Sequence, residues 1–345
     1  MLFARRNSGA RGALAGMAAI VLAHAAAASA SLHSSAWTAN APTGHRLEWI
    51  AALSNHSKLS VPDGELLAPL LVPRVAGTPG NAKVRAFIAD HFRKLGWAVQ
   101  LDNFTDATPP AGATVEFANV IATKAPGAKK RLVLAAHYDS KYFPPPDEDK
   151  FIGATDSAVP CAILLDLAAT LNDLLDARAV DRTLQMIFFD GEEAFVEHLA
   201  AKWGSTFVAP DDSAQFGSDS LLDSIEVFVL LDLLGARSPS ILNMQPLTTH
   251  YYQALNETEL SLAAAGLLAT HVSATGNVTT AGVADRRIGG KKYEPCFKIG
   301  SPISIEDDHV PFANKGVSVV HIINFPFPPE WHKLTVSNDF FLAHL

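Results

Sequence analysis

The alternation of apolar and polar positions divides this chain into helices and strands from residue 81 onward. Val84, Phe87, Ile88, Phe92 and Leu95 recur at helical spacing and Gly96 supplies a stop, which predicts a helix over 81–95. Trp97–Leu101 and Val115–Thr123 read as strands separated by the breaker Pro109-Pro110-Ala111-Gly112. Arg131–Ala136 is a short apolar run suited to a central strand, whose two faces are both covered. A helical pattern follows from Ala158 to about Leu175, then a buried strand over Leu184–Phe189 and a helix over Glu192–Trp203. Ile225–Leu234 is an apolar run broken by Asp232, His250–Leu268 has helical periodicity, and Val317–Ile323 is a last apolar strand. The glycine-rich polar stretch from Gly276 to Gly300 suits a loop. Residues 31–75 carry helix-compatible pieces without identifiable chemistry.

Apolar strands alternating with helical segments predict a three-layer α/β/α sandwich around a mostly parallel sheet. No repeat and no break in composition divides residues 31–345, so one domain is expected there. In such folds, sites form beyond the carboxyl ends of the strands. His137, the group Asp190, Glu192 and Glu193, and His332 each follow a predicted strand end, and Asp232 lies near the end of its own. The densest of these places is Phe188-Phe189-Asp190-Gly191-Glu192-Glu193. Carboxylates so close repel one another, and one has a raised pKa unless a cation or proton lies between them. Taken alone, the run would read as an acidic surface turn. Together with His137, Asp156, Asp232 and His332 on the same rim, it offers mixed imidazole and carboxylate ligands of the kind zinc takes. The spacings match no local zinc motif.

Composition narrows the classes. With 345 residues, 48% hydrophobic and 18% charged, the chain can bury a sizeable core. A formal charge of −8, with no basic run in the body, argues against nucleic acid or anionic lipid as the main partner. Arg5, Arg6 and Arg11 precede an apolar stretch, Gly12 to Ala23, and small residues Ala28-Ser29-Ala30, the layout of a signal peptide over residues 1–30. A secreted protein is expected, with a retained type II anchor in the Golgi lumen as the alternative. Four sequons, at Asn55, Asn103, Asn256 and Asn277, agree with that route and predict a glycoprotein. Cys161 and Cys296 could pair, though Cys161 lies in an apolar run that suits a free buried thiol.

Several long stretches resemble the animal glutaminyl-peptide cyclotransferases. They are His137-Tyr138-Asp139-Ser140-Lys141-Tyr142-Phe143, residues 153–162, Ile187–Phe195, Leu230-Leu231-Asp232-Leu233, Asp307-Asp308-His309-Val310-Pro311-Phe312, and Pro326-Phe327 with Trp331-His332. The wider relatives are zinc aminopeptidases of the same fold. The resemblance implies one zinc ion per chain, held by Asp156, Glu193 and His332, with Glu192 as general acid and base. It implies that Asp232 and Asp307 join the hydrogen-bond network about the substrate amine, supported by Ser157 and His321. Ile305, Phe327 and Trp331 would line the pocket for the side chain of an N-terminal glutamine. The implied reaction converts N-terminal Gln of peptides and proteins to pyroglutamate with release of ammonia, and a monomer is expected.

Two other readings stay open. A two-zinc aminopeptidase would need His137, Asp156, Glu193, Asp232, His332 and Glu192, and all are present. The flanks Lys141-Tyr142-Phe143 and Asp307-Asp308-His309 favour the cyclotransferase. An inactive binding protein is the third reading, because the chain departs from the family pattern. Past Phe195 the family runs through a tryptophan-bearing loop, whereas Phe195-Val196-Glu197 passes directly into His198, and Trp203 lies too far along to replace it. Only 13 residues follow His332, where the family continues into a further helix. Both gaps read as skipped coding segments of a gene model or splice form, with a real, shortened loop as the alternative. Ala136 stands where secreted members often carry a cysteine that pairs with the match of Cys161, so that bridge cannot form here.

Overall fold

The first long helix, α1 (Pro79–Lys94), starts where local chemistry starts it. The Thr78 hydroxyl accepts the Asn81 N–H at 3.3 Å, and Pro79 takes the first turn, where a missing N–H costs nothing. His91, Arg93 and Lys94 lie at the end where the helix dipole favours positive charge, and Gly96 stops the helix at φ +76°. This computed structural model describes residues 45–53, 56–60, 63–108, 113–176, 181–193, 221–236, 239–267, 271–272, 278–279, 287–288, 291–292, 295–300 and 304–334.

Strands β1 (Ala98–Thr108) and β2 (Ala113–Thr123) pair antiparallel along their whole length, from Ala98↔Thr123 to Thr108↔Ala113. β1 runs well past the predicted end at Leu101. Its outer half is polar because an edge strand half open to water needs no continuous apolar run. The remaining main elements are β3 (Lys130–His137), α2 (Val159–Asp176), β4 (Arg182–Phe189), β5 (Ile225–Asp232), α3 (Thr249–Ala264) and β6 (Val319–Ile323). They complete a sheet of order β1-β2-β4-β3-β5-β6. β2 runs against both neighbours while β4, β3, β5 and β6 are mutually parallel, so the mostly parallel sheet of the sequence reading is found.

Side-chain alternation divides the core between the two faces of the sheet. From β4, Leu184, Met186 and Phe188 join a cluster with Val84, Ile88 and Phe92 of α1 and Ile163, Leu164 and Leu167 of α2. Ile187 and Phe189 of the same strand point the other way, into a cluster with Val133, Ala135, Phe228 and Phe312. Burying one such Phe contributes about 1.5–3 kcal/mol, and β4 places a Phe in each of the two clusters.

Other elements also differ from the sequence reading. β5 stops at Asp232 because Leu233 turns to φ +50°. β6 starts at Val319. The stretch read as a loop contains two-residue strands, among them Phe297–Lys298, which pairs parallel with Ile241–Leu242. Cys161 and Cys296 are both free thiols. The N-terminal segment, the continuation of the Glu192 helix with the short-loop departure, and the C-terminal departure lie outside the described residues.

Candidate active site

Parallel pairing delivers three strand ends to one rim. His137 closes β3 in register with Phe189, the last residue of β4, and Asp232 closes β5 beside β3. Asp156 reaches this rim from the turn Ala154–Ala158, where it and Ser157 leave helical dihedrals (φ −126°, ψ 77° and φ −125°, ψ 46°). Gly153 opens that turn at φ +46°, and a Cβ there would collide with the Asp156 carbonyl oxygen. Asp156 Oδ1 lies 3.0 Å from His137 Nε2, and its Oδ2 lies 3.3 Å from His332 Nε2. His332 Nε2 is 3.0 Å from Glu193 Oε2.

Two sets of donors result, Asp156 with Glu193 and His332, and His137 with Asp156 and Asp232, the donor atoms of each within 4.8 Å of one another. Glu193 Oε1 is buried without a hydrogen-bond partner, and Asp156 Oδ2 has only the 3.3 Å approach of His332. Such an orphaned acceptor is costly in a folded protein, and two carboxylates with an imidazole form a donor set that a divalent cation satisfies. The residues present therefore fit zinc.

Charge around the site is strongly organised. Burial pushes the Glu192 carboxyl well above the usual carboxylate range; Asp307, Glu193 and Asp308 reinforce this against the opposing charge of His137. The Glu192 side chain nonetheless keeps 16% exposure, so it can meet a ligand. Burial and Asp156 raise Glu193 to about 7. Burial disfavours charge on His137, yet Glu192, Asp139, Asp156 and Asp232 hold its pKa well above the ordinary imidazole value. For Asp156 the same burial is overcome by His137 and His332, which hold it below the carboxylate range.

Asp232 accepts a short hydrogen bond from the Ser157 hydroxyl and lies 3.4 Å from His137 Nε2. Asp307 accepts from His321 Nε2 at 2.8 Å, which keeps it charged in spite of its burial. His309 stacks near His321 with ring centroids 4.5 Å apart, and burial together with the His321 charge lowers its pKa to about 4. Ile305 and Phe327 pack against Leu233, Met244 and Ile323. Phe327 also meets Trp331 at 4.8 Å, and Trp331, 39% exposed, stacks on His332 at 4.0 Å. Asp307, His309 and His321 form a third group of possible donors, apart from the two that share Asp156.

Sequence reasoning missed Asp139 and Arg74, which help hold the groups about Asp156 in place. Asp139 accepts the backbone N–H groups of both Glu192 and Glu193 at 3.2 Å, capping the turn from below. Asp190 is buried and accepts from Asn81 Nδ2 at 2.7 Å and from the Ala118 N–H at 2.9 Å, so its role is to tie off the strand end. Arg74 is fully buried, and its guanidinium donates to carbonyls, among them Tyr138 at 2.6 Å, Gly153 at 2.8 Å and Asp156 at 3.2 Å. It clamps the β3 exit to the Asp156 turn. A single arginine in an otherwise uncharged stretch, Ala68 to Pro79, is the one signal that pointed to it.

Comparison with known proteins places this geometry. The profile described as peptidase family M28 matches residues 119–335. The chain is 42% identical over 277 residues to a bovine (Bos taurus) glutaminyl-peptide cyclotransferase-like protein, covering 77% of this chain and 66% of that one. It is 39% identical over 295 residues to the bovine glutaminyl-peptide cyclotransferase, covering 79% and 74%. It thus spans about two thirds to three quarters of these relatives. The crystal structure of Macrostomum lignano glutaminyl cyclase superposes with a TM-score of 0.66 at 33% identity, covering 86% of this chain and 87% of that one. The family match, the identity over most of the chain and the shared fold lead to one conclusion: the chain belongs to the glutaminyl-peptide cyclotransferases of peptidase family M28.

Proposed function

We propose that this chain is a zinc-dependent glutaminyl-peptide cyclotransferase, converting an N-terminal glutamine to pyroglutamate with release of ammonia. The observation that carries the reading is Glu192, a partly exposed carboxyl of raised pKa set beside the triad Asp156, Glu193 and His332. The triad would hold one zinc ion, which when bound supplies Lewis acidity toward the γ-carboxamide carbonyl. The nucleophile is the substrate's own α-amine, so the enzyme need supply none. As the amine nitrogen bonds to the carboxamide carbon, Glu192 takes a proton from it. Glu192 returns that proton to the carboxamide nitrogen, whose bond to carbon breaks, and ammonia leaves. Ring closure tethers the reacting groups, so orientation supplies much of the rate.

Asp232, oriented by Ser157, and Asp307, held charged by His321, face the substrate amine with acceptors. Ile305, Phe327 and Trp331 form the apolar wall for the glutamine methylenes. One ion per chain is favoured by the flanks Lys141-Tyr142-Phe143 and Asp307-Asp308-His309, which resemble the cyclotransferases, although His137, Asp156 and Asp232 form a second donor set. The same set, His137 with Asp156 and Asp232, is what favours the second reading, a two-zinc aminopeptidase. Zinc stoichiometry and product separate them. One zinc and ammonia from a Gln-peptide are expected; two zincs and free leucine from a Leu-peptide would overturn the proposal. The basic and apolar residues of segment 1–30 and the sequons support a secreted glycoprotein, with a type II anchored Golgi form as the alternative.

A further inference from the structure

Of the four sequons, two fall on described residues, and the structure treats them oppositely. Asn256 lies in α3, and its Nδ2 donates to the Phe297 carbonyl at 2.7 Å, tying the Phe297–Lys298 strand to the helix. A sugar on that nitrogen would displace the bond. Asn103 lies on β1 and is exposed, and the one polar contact of its amide is a 3.4 Å approach to the Leu101 carbonyl. Thr105, the second recognition residue, is exposed as well and shares the face of Asn103 by the two-residue period. On the opposite face Phe104 stacks on Phe117 at 5.2 Å, which holds Asn103 outward.

β1 is the terminal strand of the sheet, and among the described residues only β2 pairs with it. Its length is 11 residues, and it contains neither Lys nor Pro; Asp102 and Asp106 are its only charges. Long free edges without such residues are templates for pairing with another chain. Leu101, on the same face as Asn103, is 36% exposed and adds an apolar contact to that liability. We propose that Asn103 carries an N-linked glycan and that this glycan guards the β1 edge. In its attachment Asn103 Nδ2 bonds to the anomeric carbon of a lipid-linked oligosaccharide, the lipid pyrophosphate leaves, and the nitrogen gives up one proton. The proposal rests on the secretory reading above.

The test expresses the full chain through the secretory route of a eukaryotic cell and maps peptides after enzymatic removal of N-glycans, which converts a glycosylated Asn to Asp. Conversion at residue 103 and none at 256 is expected. Asn103→Gln and Thr105→Ala should each remove one glycan and leave ammonia release unchanged. An unconverted Asn103 beside a converted sequon elsewhere would overturn the site while sparing the secretory reading. An unglycosylated chain retained in the cytosol would overturn both. The guarding role is read by light scattering over a concentration series. Larger species are expected for both variants and for deglycosylated wild type; identical monodisperse behaviour in all forms would refute it.

Discussion

His332 places its Nε2 3.0 Å from the Oε2 of Glu193. With Asp156 Oδ2 at 3.3 Å, the imidazole stands between two carboxylates. In the chain without metal, a proton on His332 offsets charge that a divalent cation would otherwise offset.

That exchange predicts how the metal-free protein responds to pH. Burial opposes charge on His332, but Asp156 and Glu193 raise its pKa from 6.5 to about 9. A folded-state pKa above the unfolded value gives stability that is complete below pH 6.5 and lost as pH rises through about 9. Chelator-treated protein should therefore melt at a lower temperature at high pH than at neutral pH. His332→Gln should flatten the trend. Zinc-loaded protein should not follow it, because binding expels the proton. Calorimetric scans across that range check the sign.

Glu192→Gln removes the proton carrier and keeps the shape. A fall in kcat of about 10²–10⁴-fold is expected, with zinc content unchanged. Glu193→Gln should instead lose zinc. Equal zinc loss in both variants would contradict the division of labour between the two neighbours.

Arg74→Met should leave several buried carbonyls without donors. Each orphaned group costs about 1–3 kcal/mol, so urea unfolding should show a loss of several kcal/mol. The Asp156 turn should also slacken, and zinc should pass to a competing chelator more readily. Arg74→Lys should recover only part of both, since an ammonium lacks the planar fork that reaches carbonyls on three segments.

Burial pushes the Cys161 thiol to about 12, and its Sγ approaches the His137 carbonyl at 3.1 Å. Alkylation of native protein at mildly alkaline pH should therefore leave Cys161 untouched. After unfolding without reductant, both Cys161 and Cys296 should react. A single disulfide would give no reactive thiol.

The strand ends were legible because their signals are local. An apolar run with a two-residue period, stopped by a carboxylate or a histidine, marks both a buried strand and the rim where it ends. His137, Asp190, Glu192, Glu193 and Asp232 were found in this way. The length of β1 was not legible, because Asp102, Asn103, Thr105 and Asp106 look like a loop until the partner β2 supplies hydrogen bonds.

By itself the sequence determined where the sheet strands lie and the candidate residues able to hold a metal. Only the tertiary structure decided that Asp156 joins two donor sets, that Asp139 caps Glu192 and Glu193, and that Arg74 clamps the turn beneath them. Those roles consist of contacts between segments far apart in the chain. The run Phe188-Phe189-Asp190-Gly191-Glu192-Glu193 carries its own periodicity, whereas a buried arginine looks like any other until the carbonyls that surround it are brought together.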